Sequence, residues 1–327
     1  MRSTSSGSRP TSAQVAERAG VSRPTVSQIL NGHTERFAPD TVALVQAAAE
    51  DLGYRPSVVG RALVTGRSDI AVLAVPYVTL TEKVQDAIDA ATDRLAEAGL
   101  LTVLAFLRPG TSAVLRICEQ LRPSLVVALG VLPPRDIRRI ERAGAVIVGG
   151  TEGDAVGAAQ AEHLAKRGVV RIDYAFLSDT RDDAYGPGRA AAVARRCAVL
   201  GLPRPRGLRI PLDPESAAPL IEQHLQGARG KLGLACYNDE VGAVVVAAAA
   251  AAGIDVPGRL AVIGVDNAVI GRVCSPQLTT VDFDARAVID LHVDIALAGL
   301  RARRSDKPVP EPSLSASLIR LVQRGST

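Results

Sequence analysis

Between residues 11 and 52 apolar side chains recur every three or four positions in three short blocks, which predicts three amphipathic helices. The first opens with Thr11 and Gln14, a T-x-x-Q capping pattern, and is expected to run to about Ala19 and stop at Gly20. The second follows Ser22 as its N-cap, tolerates Pro24 in its first turn, and ends at Asn31-Gly32. Residues 41–52 form the third, with Val42, Val45, Ala49 and Leu52 on one stripe. Val15, Val21, Val26 and Ile29 can share a core, with Ala16 small where the first two helices cross. That leaves Arg23, Pro24, Thr25, Ser27, Gln28 and Asn31 facing outward. An ordinary solvated face relies on Glu and Lys; this one presents hydroxyls, amides and a single Arg.

From residue 69 the pattern changes to short apolar runs alternating with helical segments. Strands are predicted at 70–75, 101–107, 124–129, 145–149, 171–177, 232–236 and 260–265. Helices are predicted at 82–98, 111–121, 134–143, 154–167, 187–200, 215–227, 239–252 and 285–301. Strands apolar on both faces and separated by helices imply doubly wound parallel sheets, and this many of them imply two lobes. The chain therefore divides into a tail (1–10) with nothing to bury, a helical unit (11–54), a connector (55–68) and a two-lobed α/β domain (69–327). The connector RPSVVGRALVTGRS holds three Arg and no acid, yet Val58, Val59, Ala62 and Leu63 make a short helical stripe that a plain linker would not need.

Charge sharpens the picture. Residues 1–67 contain eight Arg against five acids, whereas residues 68–327 are nearly balanced, with thirty basic against twenty-nine acidic residues. Two short helices joined by a turn at Gly20, with a hydrogen-bonding outer face in the basic part of the chain, fit a helix-turn-helix entering the DNA major groove. Hydroxyls suit phosphate oxygens, and Arg and Gln can pair bidentately with guanine and adenine edges. The four Cys and four His are scattered without CxxC, HxxxH or HExxH spacing, so neither metal site nor disulfide is expected. The longest apolar run, 241–253, is too short and Ala-rich to span a bilayer, and the N-terminus shows no secretory signal, so a cytoplasmic protein is expected. Enzyme signatures are missing: no GxSxG, no GxGxxG after a strand, and GARGK at 227–231 is too short for a Walker loop.

The segments TSAQVAERAGVSRPTVSQILNG and LGYRPSVVGRAL resemble the DNA-binding headpiece and hinge of the LacI/GalR family of bacterial repressors. NDEVGAVVVAAAAAAGIDVPGRLAVIGVDN, PQLTTVDFD and LIRLVQRGST resemble its effector domain in order and spacing, so the likeness covers residues 11–327. It implies a helix-turn-helix headpiece followed by two periplasmic-binding-protein-like lobes, roughly 69–152 with 283–312 and 153–282 with 313–327. It implies a homodimer that binds a near-palindromic double-stranded operator, responds to a small polar effector such as a sugar, and needs no cofactor or membrane. By position, Arg23, Pro24 and Gln28 would read base edges. Ser22, Thr25, Ser27 and Asn31 would grip phosphates, Leu63 would wedge into the minor groove, and Ser57 and Arg61 would flank it. Tyr77, Arg189, Asn238, Asp266 and Phe283 would face the effector, whereas Asp239 and Asn267 would hold loops. Three positions depart from the family pattern. Pro24 offers only apolar contact, Gly60 replaces the usual hinge alanine, and VPYVTLTEKVQ lacks the usual Asn-Pro-aromatic-aromatic segment, leaving Tyr77 as the only local ring. A solute-binding protein without DNA function and an α/β enzyme are the competing readings.

Overall fold

The computed structural model describes residues 10–30, 32, 34–54, 68–77, 82–107, 113–130, 132–149, 153–178, 185–305 and 318–327. The chain separates into two units, Met1–Asp69 and Ile70–Thr327.

In the first unit, helices α1 (Ser12–Ala19), α2 (Arg23–Leu30) and α3 (Pro39–Asp51) surround a small core of Val15, Ala16, Val26, Ile29, Val45, Ala48 and Ala49. Thr11 caps α1 as its sequence predicts: Gln14 N–H donates to Thr11 Oγ1 (3.4 Å) and Thr11 N–H to Gln14 Oε1 (2.8 Å). Gly20 supplies the left-handed turn into α2, at φ 66°. Helix α3 starts at Pro39, two residues earlier than the apolar stripe suggests. Proline's fixed φ suits the first helical position, and Asp40 places a carboxylate at the positive end of the helix dipole.

The second unit holds two sheets. The first, in order β2-β1-β3-β4, comprises β1 (Ile70–Pro76), β2 (Leu101–Leu107), β3 (Leu125–Ala128) and β4 (Val146–Gly149), all parallel. The second, in order β10-β9-β8-β7-β5-β6, comprises β5 (Arg171–Ser178), β6 (Gly207–Pro211), β7 (Leu232–Cys236), β8 (Leu260–Val265), β9 (Thr279–Phe283) and β10 (Ile319–Val322). Strands β1, β3, β7 and β8 are buried along their whole length, which is why they read as continuous apolar runs.

Helices α4 (Glu82–Glu97), α5 (Ala113–Leu121) and α6 (Pro134–Arg142) belong to the first sheet. Around the second lie α7 (Gly153–Ala165), α8 (Gly186–Val199), α9 (Pro214–Leu225), α10 (Asp239–Ala251) and the short α11 (Val269–Val273). The last helix, α12 (Ala285–Ser305), returns to the first sheet. Its Ala285, Ile289, Val293 and Ala296 join the core formed by β1, β3 and α4, and Arg94 on α4 ion-pairs with Asp290 (3.1 Å) and Asp294.

Three strands fall outside the predicted runs. Edge strand β6 is mostly solvent-facing, β9 mixes Thr and Asp into its apolar positions, and β10 is only four residues long with two of them exposed. Moreover, β10 pairs antiparallel with β9, so the second sheet is mixed rather than wholly parallel.

Candidate functional site

In the first unit the outer face of α2 is built from the inside. Val26 and Ile29 are buried against Val15 and Val45, which fixes the rotation of the helix and turns Ser22, Arg23, Pro24 and Gln28 to solvent. Thr25 and Ser27 are half-buried along the rim. Ser22 Oγ accepts from Thr25 N–H (3.2 Å), as its N-cap role requires, and lies 2.8 Å from Thr25 Oγ1, so the two hydroxyls form a pair at the helix start. Among the described residues the Arg23 guanidinium makes only a long bond to Ser12 Oγ (3.4 Å). The face thus offers one cation, two hydroxyls at the helix start, an exposed amide and an apolar ring, which is chemistry for phosphate oxygens and base edges. Asn31, Ser57, Arg61 and Leu63, with the hinge-helix expectation and Gly60, lie outside the described residues.

In the second unit the strands of each sheet bring a separate set of residues to their carboxyl ends, where open α/β sheets bind ligands. Arg189, on α8, is buried, and one guanidinium nitrogen donates to Tyr237 O (2.7 Å), immediately before Asn238. The Tyr185 and Tyr237 rings flank it, with centroids 5.2 and 5.6 Å from the guanidinium carbon. Burial, the largest influence, opposes the charge, but the Asp266 carboxylate together with Tyr174, Tyr237 and Tyr185 outweighs it and holds the Arg189 pKa above its ordinary value. The Nε of Arg189 is buried with no hydrogen-bond partner among the described residues, a donor that an oxygen-rich ligand would satisfy. Asp266 has φ 98° and Asn267 φ 52°, a left-handed pair that directs the chain sharply out of β8.

Sequence reasoning brought Arg189, Asp266 and Asn238 to one place and missed the two rings beside them. Tyr237 precedes Asn238 and Tyr185 precedes the GPGR turn, so the signal was present, hidden by an aromatic content of 3% averaged over the chain. Tyr185 also donates its hydroxyl to Leu129 O (2.7 Å) at the end of β3, bridging the two sheets' ligand-facing ends. Asn238 has a capping role: its Oδ1 accepts from Val241 N–H (3.0 Å) at the start of α10. Tyr77 stands at the end of β1, where its N–H donates to Leu107 O (3.3 Å). Phe283 packs against the cores of both sheets and lines a cleft of about 540 Å³ with Asp86, Asp282 and Arg320, at the crossing between lobes.

Asp239 and Asn267 hold loops as expected. Asp239 Oδ2 accepts from Ala268 N–H (2.7 Å), and Asn267 donates to Asp282 Oδ2 (3.2 Å). Burial, with the Asp266 charge nearby, pushes the Asp239 pKa up to about 7 despite the hydrogen bonds it accepts.

Comparison with known proteins agrees with both units. Residues 161–327 match the periplasmic binding protein-like domain model, and residues 13–57 match the model for bacterial regulatory proteins of the lacI family. The chain is 27% identical to the HTH-type transcriptional regulator GalR of Escherichia coli (strain K12), over 94% of this chain and 93% of that protein. It is 27% identical to the HTH-type transcriptional repressor PurR of Pectobacterium carotovorum, over 91% and 92% of the two chains. Over a 67-residue stretch, 20% of this chain and 19% of its relative, it is 45% identical to the HTH-type transcriptional regulator CelR of Thermobifida fusca. Among solved structures it shares its fold with a lac repressor dimer bound to operator and the anti-inducer ONPF. That match has a TM-score of 0.72 and 22% identity, and covers 98% of this chain and 99% of that one.

Proposed function

Because the chain belongs to the LacI/GalR family of bacterial transcriptional regulators, with its lacI-type headpiece and periplasmic-binding-protein-like effector domain, we propose that it is a homodimeric repressor. In this reading it reads a near-palindromic operator through α2 and is switched by a small polar metabolite bound beside Arg189. It is a DNA-binding regulator. The observation that carries the reading is the outer face of α2, exposed and rich in hydrogen-bonding groups, set by buried Val26 and Ile29.

Arg23, Pro24 and Gln28 would contact base edges, Pro24 by apolar contact with a thymine methyl. Ser22, Thr25 and Ser27 would grip phosphates, with Asn31, Ser57, Arg61 and Leu63 assigned by similarity alone. In the effector domain, Arg189 and Asp266 would hold a ligand bearing hydroxyls, or an amine with a carboxylate. Tyr185 and Tyr237 add the flat rings that sugar faces favour. The solved structure of CelR with cellobiose, at a TM-score of 0.64, supports a sugar lean.

Dimerisation has its own support: edge strand β2 exposes Leu101, Leu104 and Phe106, at 57%, 49% and 43%, a patch suited to a second copy. No described helix is long and apolar enough to cross a membrane; the transcriptional regulators among its relatives favour a regulator acting in the cytoplasm over an enzyme. Effector binding would favour one arrangement of the lobes and so shift the population of the DNA-competent dimer.

Selection from mixed genomic fragments at low and moderate salt tests the reading. A regulator retains a reproducible subset; recovery of none, or of all fragments equally, contradicts it. A thermal-shift screen of sugars, nucleosides and amino acids then narrows the effector class, since a ligand bound only by the native state raises Tm.

A further inference from the structure

The loop that carries Asp266 is joined by side-chain hydrogen bonds to the strands crossing between the lobes. Asn267 sits at the joint. Its amide nitrogen donates to Asp282 Oδ2 (3.2 Å), its amide oxygen accepts from the Arg324 guanidinium, and its backbone N–H donates to Thr280 Oγ1 (3.2 Å). Asp282 lies on β9 at 8% exposure and also accepts from Arg320 (3.0 Å), its register partner on β10. Arg324, just past β10, donates in addition to Leu278 O (2.7 Å), just before β9.

One amide therefore faces a carboxylate with its donor and a guanidinium with its acceptor, which fixes its orientation and suits Asn better than Asp or Gln. The residue after Asp282 is Phe283, packed against the cores of both lobes. Beyond it α12 packs on the first sheet. A displacement of the Asp266 loop cannot leave Asn267 behind, because the two are adjacent. Through Asp282 and Arg320 it reaches both crossing strands.

Bracing alone does not require this arrangement. Strands β8 and β9 are already tied to the chain beyond β10 by Ser326, whose Oγ donates to Val262 O (2.6 Å) and accepts from Thr279 N–H (2.8 Å).

We propose that Asn267 and Asp282 are positioning residues forming a coupling joint, which transmits the state of the Asp266 loop to β9 and β10 and so biases the lobe arrangement. Only the last step, from lobe arrangement to operator affinity, rests on the regulator reading above. The joint predicts that loop and crossing strands loosen together. The charge pattern predicts that exchanging donor for acceptor across the pair restores it.

Three variants of the full chain test this: Asn267→Asp, Asp282→Asn, and the double exchange, which reverses the hydrogen bond at constant net charge. Hydrogen exchange is read at residues 266–268 and 319–322, and operator affinity is read well below each Tm. Asn267→Asp is expected to speed exchange in both segments and to change operator affinity by about fivefold or more, with the double exchange returning both toward wild type. The joint is overturned if exchange at 319–322 stays at the wild-type rate while the loop alone loosens, or if both single variants bind operator within about twofold of wild type. A wild-type protein that selects no DNA would sink the regulator reading, and the exchange data would still decide the joint.

Discussion

Two side chains show how single residues set the behaviour of this protein. On α2, Gln28 is exposed while its neighbour Ile29 is buried, so its amide can reach a base edge. Gln28→Ala is expected to reduce discrimination by about 1–3 kcal/mol at one base pair per half-site while leaving other positions unchanged. Equal loss on every sequence, in a binding competition across single-base operator variants, would make Gln28 a phosphate contact instead.

In the effector domain Asp239 titrates near 7 rather than near its ordinary 3.8, chiefly because it is buried. A carboxyl raised on folding favours the protonated native state, so its contribution is most favourable below about pH 4 and is lost as pH rises toward 7. Asp239→Asn should then be little different from wild type near pH 4 and more stable by about 1–3 kcal/mol near pH 8. Urea unfolding at both pH values checks this, and a difference that does not grow with pH would contradict it.

At the scale of elements, the crossing of α7 and α8 depends on Gly157. A Cβ there would meet Arg189 O at 2.4 Å and Ala192 Cβ at 2.8 Å, so backbone would have to move. Gly157→Ala is expected to destabilise the second unit by about 1–3 kcal/mol and to shift the Arg189 guanidinium from between its two tyrosines. Calorimetry with ligand titration reads both effects, and an unchanged melting temperature would contradict the tight crossing. Edge strand β2 gives the second element test. Leu104→Asp with Phe106→Asp should lower the dimer's sedimentation coefficient to that of a monomer and weaken operator binding, because two half-sites are then bound separately. A variant that remains a dimer would move the interface elsewhere.

The elements also show what the sequence made legible. The headpiece was readable residue by residue because capping Thr11, Gly20 and the Val26–Ile29 pair are local signals. The strands buried on both faces were readable because nothing polar interrupts them. Strands β6, β9 and β10 were not, since their identity comes from partners distant in sequence, Arg320 opposite Asp282 for instance. The same holds for the site. Arg189, Asn238 and Asp266 were visible only through the family resemblance, whereas Tyr185 and Tyr237 come beside Arg189 only when α8 and the end of β7 converge.

For the whole molecule, the central claim is that a hydrogen-bonding headpiece, flanked by an Arg-bearing tail and connector, and a ligand-binding α/β domain make one sequence-specific regulator. Titrating the purified dimer against its selected operator and a scrambled duplex, from low to moderate salt, tests this most directly. Binding to the operator should be stronger by about a thousandfold or more, and the logarithm of affinity should fall linearly with the logarithm of salt for both duplexes, reflecting several phosphate contacts. Equal affinity for operator and scrambled DNA, or binding to the operator that does not respond to salt, would contradict it.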